Sequence, residues 1–451
     1  MSNTASEDVS EDIKPSSAEP LSTQQNPVSQ KYRMYVLIIL TLVYAFNFID
    51  RQIIGILSPM IKADLGLDDA QLGWLKGIYF ALLYTLVGIP IAWLADKYNR
   101  VNIVAISLTL WSAFTALSGL ASNYLQLALA RVGVGIGEAG GSPPSHSMIS
   151  DLFPKEKRAS ALAIYSLGIP FGVMLAFFAT AFLIKGGSAD WRMVMISVGL
   201  PGVALAILLK LTVKEPIRGA DNNKADLEKV PFKQAIKTLL TIPSWWGMCL
   251  GISFGSFGNY AISTWIIDFF VRAHPDFSFF NLLIIMGISN GTAYAAGVWI
   301  GGVLVDKLGK KSKKAYGLVP AGMLLIGTPA FFIALQVGSP IWSLVLLTVL
   351  LFTSGAYLGP SFALAQTLAP VRVRAMSTAL FFFVLNIIAL GGGPTFVGIL
   401  SNMLSESYGE VESLRLALSW LVVPYILSIL AFYWTSRRVD KDWQLAEQRN
   451  G

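Results

Sequence analysis

Apolar residues in this chain follow neither the alternation of a half-buried strand nor the three-to-four spacing of a surface helix. They come in blocks of about 20 residues or more, the length a helix needs to cross about 30 Å of hydrocarbon. Twelve such blocks are expected, at about residues 34–60, 70–95, 101–120, 123–149, 159–183, 191–211, 244–271, 280–305, 316–337, 341–369, 375–401 and 414–435. Strand-type alternation is absent, which argues against a β-barrel. The expected fold is an all-α membrane protein with twelve transmembrane helices.

The polar segments divide the chain. Residues 1–30 are acidic and rich in Ser and Pro, with no apolar core of a secretory signal, and read as a disordered cytoplasmic tail. A six-helix bundle over 31–212 and a second over 243–436 flank a cytoplasmic linker at 213–242, and 437–451 reads as a closing cytoplasmic tail. With 54% hydrophobic and 14% charged residues, the chain departs from the roughly 25% charged of soluble domains.

The net charge of +7 suggests nucleic acid until the cations are placed. Lys97 and Arg100 follow block 2, Lys155, Lys157 and Arg158 follow block 4, and Lys214, Arg218, Lys224, Lys229, Lys233 and Lys237 follow block 6. Lys307, Lys310, Lys311, Lys313 and Lys314 follow block 8, and Arg437 and Arg438 follow block 12. The opposite loops hold mainly Lys62, Lys185, Arg192, Arg272 and Arg415. This asymmetry is the positive-inside pattern and places both termini and the linker in the cytoplasm. A multi-pass protein of a bacterial-type inner (plasma) membrane, monomeric and without a nucleic-acid partner, is expected. Cys249 is the one cysteine and His146 and His274 the only histidines, so no disulfide, metal site or cofactor is expected.

The two six-helix sets share landmarks. "PSHSMISDLFPKEKRASA" from Pro144 and "PSFALAQTLAPVRVRAMSTA" from Pro360 each carry a second proline ten residues on, Pro154 and Pro370, and Arg-Ala at fourteen, Arg158-Ala159 and Arg374-Ala375. Likewise "AWLADKYNR" parallels "GGVLVDKLGKK", aligning Asp96-Lys97 with Asp306-Lys307. Here the chain resembles the major facilitator superfamily, whose Gly-x-x-x-Asp-Arg/Lys-x-Gly-Arg-Lys/Arg signature is matched by Gly302, Asp306, Lys307, Gly309, Lys310 and Lys311. The first copy has Ala92 and Asn99 at the glycine positions. The resemblance implies two halves that rock about a site near the midplane. Asp96, Lys97, Arg100 and Asp306 are read as a cytoplasmic charge latch that forms in one state and breaks in the other, against the plainer reading of topology-setting loop charge.

Few ionisable residues fall within the blocks: Asp50, Arg51, Lys76, Arg131, Glu138 and Asp268. Lys76 is expected to snorkel outward, and Asp268 to form an i,i+4 surface pair with Arg272. The other four would together cost roughly 10–14 kcal/mol if left uncompensated at the bilayer centre. They must face a wet cavity, pair or neutralise. Counting about 1.5 Å per residue from the cytoplasmic end puts Asp50 and Arg51 at about 24 Å, Glu138 at about 18 Å and Arg131 at about 28 Å. Arg131 and Glu138, seven apart, share a helix face, and the four charges sum to zero. A carboxylate in an apolar cavity can exchange a proton near neutral pH, whereas arginine stays charged. Asp50 and Glu138 are therefore candidate proton sites, and Arg51 and Arg131 candidate counter-ions and substrate anchors; the rival is a static salt-bridge network.

"GVGIGEAGG" contains Gly135-x-Gly137-x-x-Gly140, the form of a dinucleotide fingerprint, but without the strand that motif needs. Close helix packing through Gly133, Gly137 and Gly141 is the better account. No G-x-x-x-x-G-K-[ST] occurs, so ATP is not a direct fuel. "NFIDR", "DKYNR", "WSAF", "RVGVGIGEA", "DLF" and "IPFG" at 169–172 resemble the spinster family of facilitators, specifically through the first six helices. That resemblance implies an amphipathic, single-chain lipid substrate, of the lysophospholipid or sphingosine-1-phosphate type, and proton-coupled alternating access. Pro170 and Gly172, and "LGGGPTF" at 390–396, are candidate gating bends. The second half offers an aromatic, weakly polar wall, with Phe254, Phe257, Tyr260, Tyr357 and Phe362 as candidate cavity residues. The expected function is a proton-coupled lipid exporter. A proton-coupled multidrug antiporter is the rival in substrate, and a non-transporting membrane sensor or enzyme the rival in class, for which no nucleophile or appended domain is found.

Overall fold

A computed structural model describes residues 29–185, 190–217, 232–370 and 373–450. The expected 1–30 tail, apart from its last two residues, and residues 218–231 of the basic 213–242 linker, with Arg218, Lys224 and Lys229, lie outside them. Among the described residues nine helical stretches are long and apolar enough to cross a membrane. One of these, Met376–Arg449, breaks at Gly409 (φ 75°, ψ 169°) and crosses twice. Two more crossings come from 124–152, which is split into shorter helices, and from Pro243–Ala273, which is rich in aromatic and small residues. The twelve expected spans are all present.

Span 1 is Gln30–Leu65, span 2 Asp69–Lys97, and span 3 Arg100–Ser118. Span 4 joins Tyr124–Glu138 to Ser142–Leu152, span 5 joins Lys155–Ser166 to Gly168–Ile184, and span 6 is Trp191–Thr212. In the second half span 7 is Pro243–Ala273, span 8 Phe279–Gly309, span 9 Ala315–Gln336 and span 10 Pro340–Leu368. Span 11 runs from Arg374 to the break at Gly409, and span 12 follows it through Val422–Asn450.

Local chemistry sets these boundaries. Ser29 caps span 1, whose far end stops at Gly66 in the left-handed region (φ 63°). Asp68 and Gln71 close a capping box at span 2. Asn99, which replaces a glycine of the facilitator signature, accepts a 2.9 Å bond from the Asn102 amide and starts span 3. The sequence duplication is also visible in the backbone. Ser142–Leu152 and Leu358–Leu368 are both eleven-residue helices that end just before Pro154 and Pro370.

The fingerprint-like glycines pack helices together. A Cβ at Gly137 would come within 2.6 Å of the Trp111 amide nitrogen, and one at Gly135 within 2.9 Å of the Phe80 carbonyl. Two π-helical segments, Asn290–Tyr294 in span 8 and Asn386–Gly392 in span 11, interrupt the two second-half helices that lie against spans 5 and 2. The expected bend at 390–396 thus coincides with a π segment leading into Pro394.

Spans 1 and 7, 2 and 11, and 5 and 8 meet across the two halves. These meetings seal one face of the molecule, called here the closed face. The segments of spans 4, 5, 10 and 11 nearest the opposite, open face make their principal contacts within their own half. Span 12 continues as helix to Asn450, through the residues expected to form the closing cytoplasmic tail. Its Asp442 accepts a 2.8 Å bond from the Ser244 amide at the start of span 7, and Trp443 lies 5.6 Å from the Tyr316 ring at the start of span 9. Large exposed apolar side chains, including Ile89, Trp299, Leu325 and Met403, suit a surface that faces hydrocarbon.

The contact of span 8 on span 10 is the tightest. A Cβ at Gly297 would stand 1.9 Å from the Phe352 carbonyl oxygen, so the two backbones would have to part. Gly297→Ala is expected to cost about 1–3 kcal/mol and to lower the thermal midpoint in detergent. Gly322→Ala, which meets nothing within 4 Å, is expected to melt with the wild type; coincident melting of both variants would contradict this packing.

Candidate functional site

Consecutive residues on a helix point about 100° apart, so Asp50, Arg51 and Gln52 aim in three directions from span 1. Arg51 turns toward span 4, where its Nε donates to Oε2 of Glu138 at 2.7 Å. The Glu138 side chain is fully buried, while that of Arg51 keeps 13% exposure. Aromatic rings surround the guanidinium: Tyr84 at 4.6 Å, and Phe48 and Phe80 each at 5.2 Å. Tyr260 of span 7 also stands within hydrogen-bonding reach of the guanidinium. Arg51 is thus held at Nε by a carboxylate and stays partly exposed, and its planar fork is of the kind that binds a carboxylate or phosphate.

Arg131 is buried (2% exposed) and reaches span 1 through its Nη1, 3.3 Å from the Asp50 carbonyl oxygen. Phe80 lies 5.5 Å from this second guanidinium as well as against the first. Asp50, 1% exposed, has Thr115, Trp111, Arg131 and Glu138 as its polar surroundings. Among the described residues, however, neither of its carboxylate oxygens has a partner at hydrogen-bond length, and the same holds for Oε1 of Glu138, the Asn47 amide and Nε of Arg131. The four residues singled out in the sequence therefore meet in one cluster. It contains a single direct ion pair and an adjacent acid whose oxygens lack donors. Such atoms are costly when buried, and a proton on Asp50 would relieve part of that cost.

A second charged layer lies toward the closed face, and two residues were misread from sequence. Lys76 does not snorkel outward. Its Nζ is 2.7 Å from Oδ2 of Asp268, both side chains are fully buried, and the Trp265 ring covers the amine at 3.6 Å. Ser58 also donates to Asp268. Arg272 leaves Asp268 and forks onto Asp69 of span 2, at 2.6 and 2.8 Å, where Lys62 and Ser401 also converge. Asp268 and Arg272 are four apart and look like a local surface pair. Each is instead taken by the other half because span 7 packs on span 1 and its charged side chains reach across to span 2. The available signal was a lysine and an aspartate near the same end of apolar spans of opposite halves, with Lys76 lacking any acid three or four residues away within its span.

The residues read as a latch lie at the open face. Asp96, Lys97 and Asp306 are exposed there, Lys97 resting 3.9 Å over Trp93. Arg100 is 2% exposed and committed within its own half, to Asp151 at 2.5 Å, Glu215 at 2.6 Å and Ser147 at 2.7 Å. Of the aromatic wall, Tyr260 stands among the groups around Arg51. Tyr357 is buried and accepts from Asn259 at 2.7 Å, and Tyr425 donates to that same amide at 2.9 Å. Phe257 packs on Phe396 and against Gly392 of span 11, Phe362 packs between Phe381 and Phe382, and Phe254 is half-buried.

The sequence profile of the Major Facilitator Superfamily matches residues 40–394. An "MFS-type efflux pump" of Mycolicibacterium smegmatis is 31% identical over 410 residues, covering 90% of this chain and 92% of that protein. "Protein spinster homolog 3" of Danio rerio is 26% identical over 459 residues, covering 95% and 90%. A crystal structure of a bacterial homolog to the human lysosomal transporter spinster, in an inward-facing and unoccupied conformation, superposes with a TM-score of 0.83 at 31% identity, over 92% of this chain and 99% of that one. A D-xylose-proton symporter, at 16% identity and a TM-score of 0.69, shares the fold. With its two six-helix halves, paired intramembrane charges and these relatives, the chain belongs to the spinster family of the Major Facilitator Superfamily, a superfamily of membrane transporters.

Proposed function

We propose that the protein is a proton-coupled transporter of amphipathic lipids with an anionic head, of the lysophospholipid or sphingosine-1-phosphate type, working by alternating access in an inner membrane. On this reading the open face, where span 1 starts and span 12 ends, is cytoplasmic, and both termini lie on that side. The observation that carries the proposal is the Arg51–Glu138 pair, a partly exposed guanidinium held at Nε by a fully buried acid. An anionic head that binds the guanidinium competes with Glu138 for Arg51. Glu138 then loses its counter-ion in a fully buried position and takes up a proton, and Asp50 beside it is the second acceptor. The rings of Phe48, Phe80 and Tyr84 exclude water around the guanidinium, which strengthens its hold on an anion. Asp96, Lys97, Arg100 and Asp306 are proposed to form the cytoplasmic latch when the open face closes, with Arg100 exchanging its present partners for others. A potential of 100 mV supplies about 2.3 kcal/mol per charge, roughly a fiftyfold gradient.

A second reading is favoured by the mycobacterial relative, whose name is that of an efflux pump. A cationic amphipath would use the carboxylates of Asp50 and Glu138 and displace their proton, giving antiport. Linkage separates the two readings: an anion binds together with a proton, whereas a cation binds in exchange for one.

Three outcomes follow. Lysophosphatidate is expected to bind purified protein more tightly at pH 6 than at pH 8, with proton uptake recorded in weak buffer; proton release, with tighter binding of an organic cation at pH 8, would favour the efflux reading. Arg51→Ala is expected to weaken lysophosphatidate binding at least tenfold while the thermal midpoint stays within a few degrees of wild type, and equal destabilisation with normal binding would refute the anchor role. Asp50→Asn and Glu138→Gln are expected to abolish proton-driven transport in liposomes while keeping the fold. Transport that is unaltered in either variant would remove that acid from the coupling.

A further inference from the structure

The third of the consecutive residues on span 1 has no part in the charge cluster, yet it makes a two-bond polar contact between the halves that involves no charge. Gln52, 5% exposed, donates through Nε2 to the Ser263 carbonyl oxygen at 2.8 Å and accepts at Oε1 from the Ser263 hydroxyl at 2.6 Å. Both hydrogen-bonding ends of the amide are therefore spent on one residue of span 7. Less than a turn outward, Gly55 brings the two helices together, since a Cβ there would lie 3.0 Å from Cα of Thr264. Ser58 and its bond to Asp268 follow about 9 Å beyond Gln52 along the axis. Span 1 is thus fastened to span 7 at successive levels, and the innermost fastening is next to Arg51.

We infer that Gln52 and Ser263 form the ceiling gate of the substrate cavity, the contact that must part before anything held at Arg51 reaches the closed face. This rests on the alternating-access reading and adds the step between the binding site and the exit. The chemistry suits the position. An amide and a hydroxyl carry no net charge, so the gate competes neither with Arg51 for an anion nor with Asp50 and Glu138 for a proton, as an ion pair at this depth would. Beside the pair lies a cavity of about 20 Å³, lined by Gln52, Ser263 and Asn290 together with Phe177, Met286 and Leu350. That is room for one water molecule, and it gives the amide a polar neighbour when Ser263 withdraws. Gln52 is a positioning residue: it sets which face the site opens to and does not itself hold the substrate.

A bond made in one state and lost in the other biases the equilibrium between them, whereas a bond kept in both does not. The test uses spin-label pairs across the outer ends and across the inner ends of the halves, in a Cys249→Ser background, to read the ratio of closed to open outer face in nanodiscs without substrate. Gln52→Leu and Ser263→Ala are each expected to move that ratio at least fivefold toward the open outer face. An unchanged ratio overturns the gate, whether or not the thermal midpoint falls, because a packing role lowers stability without moving the ratio.

Gln52→Glu supplies a readout that packing alone would not produce. A protonated Glu reproduces both bonds, but an ionised one sets a second oxygen against the Ser263 carbonyl. The groups facing position 52 around the cavity, from spans 5, 7, 8 and 10, are uncharged. The nearest charges are Asp50 and Arg51 on its own helix and the Lys76–Asp268 pair beyond Ser58. The ratio in this variant is expected to favour the closed outer face at pH 5 and the open one at pH 8, beyond any change of wild type over that range. A ratio that tracks wild type at both values counts against the gate. None of these readings requires Asp50 or Glu138 to carry protons in transport, so the gate and the coupling can fail separately.

Discussion

A charge inside hydrocarbon must find an opposite charge, a polar partner or water, and this constraint arranges the whole molecule. It is met at two depths in two ways. Near the midplane Arg51 and Glu138 pair within the first half, and Asp50 and Arg131 crowd beside them with polar atoms left over. Toward the closed face Lys76 and Asp268, and Asp69 with Arg272, pair between the halves. The first layer survives any relative movement of the halves because its members travel together. The second exists only while the halves touch. The second layer is therefore suited to holding a conformation, and the uncharged Gln52–Ser263 contact lies between the two.

Much of this was legible in the chain. Span number and approximate ends follow from the length of the apolar blocks, since nothing else accounts for so many runs of that size. The duplication could be read because Pro144, Pro154, Pro360 and Pro370 occupy fixed offsets, and the two eleven-residue helices show why: each copy must break the helix at the same place to start the next span. The four-charge cluster was accessible because helical rise converts sequence position into depth, and depth alone placed Asp50 and Arg51 between Arg131 and Glu138.

What sequence could not supply was rotation. A helix offers an i,i+4 partner for almost any charge, and Asp268 with Arg272 is such a pair on paper. Only the packing of span 7 on span 1 decides that each faces a different residue of the opposite half. Lys76 was misread for the same reason, because the end of a span that lies against another span gives a side chain no route to the headgroups. The aromatic wall shows the same limit. Phe257, Tyr260, Tyr357 and Phe362 are alike in sequence, yet one helps seal span 11, one borders the charged cluster, one is locked behind Asn259 and one lies among phenylalanines of span 11.

The helical end of the chain also bears on movement. Asp442 ties the first turn of span 7, and Trp443 rests on the first turn of span 9, so three helices of the second half are stapled at the open face by the last turns of span 12. A body braced in this way turns as a stiff lever instead of flexing helix by helix. A displacement of a few ångströms where the halves touch is then magnified along its length, and cutting the chain before Asp442 would leave a half that absorbs the same push as internal slack.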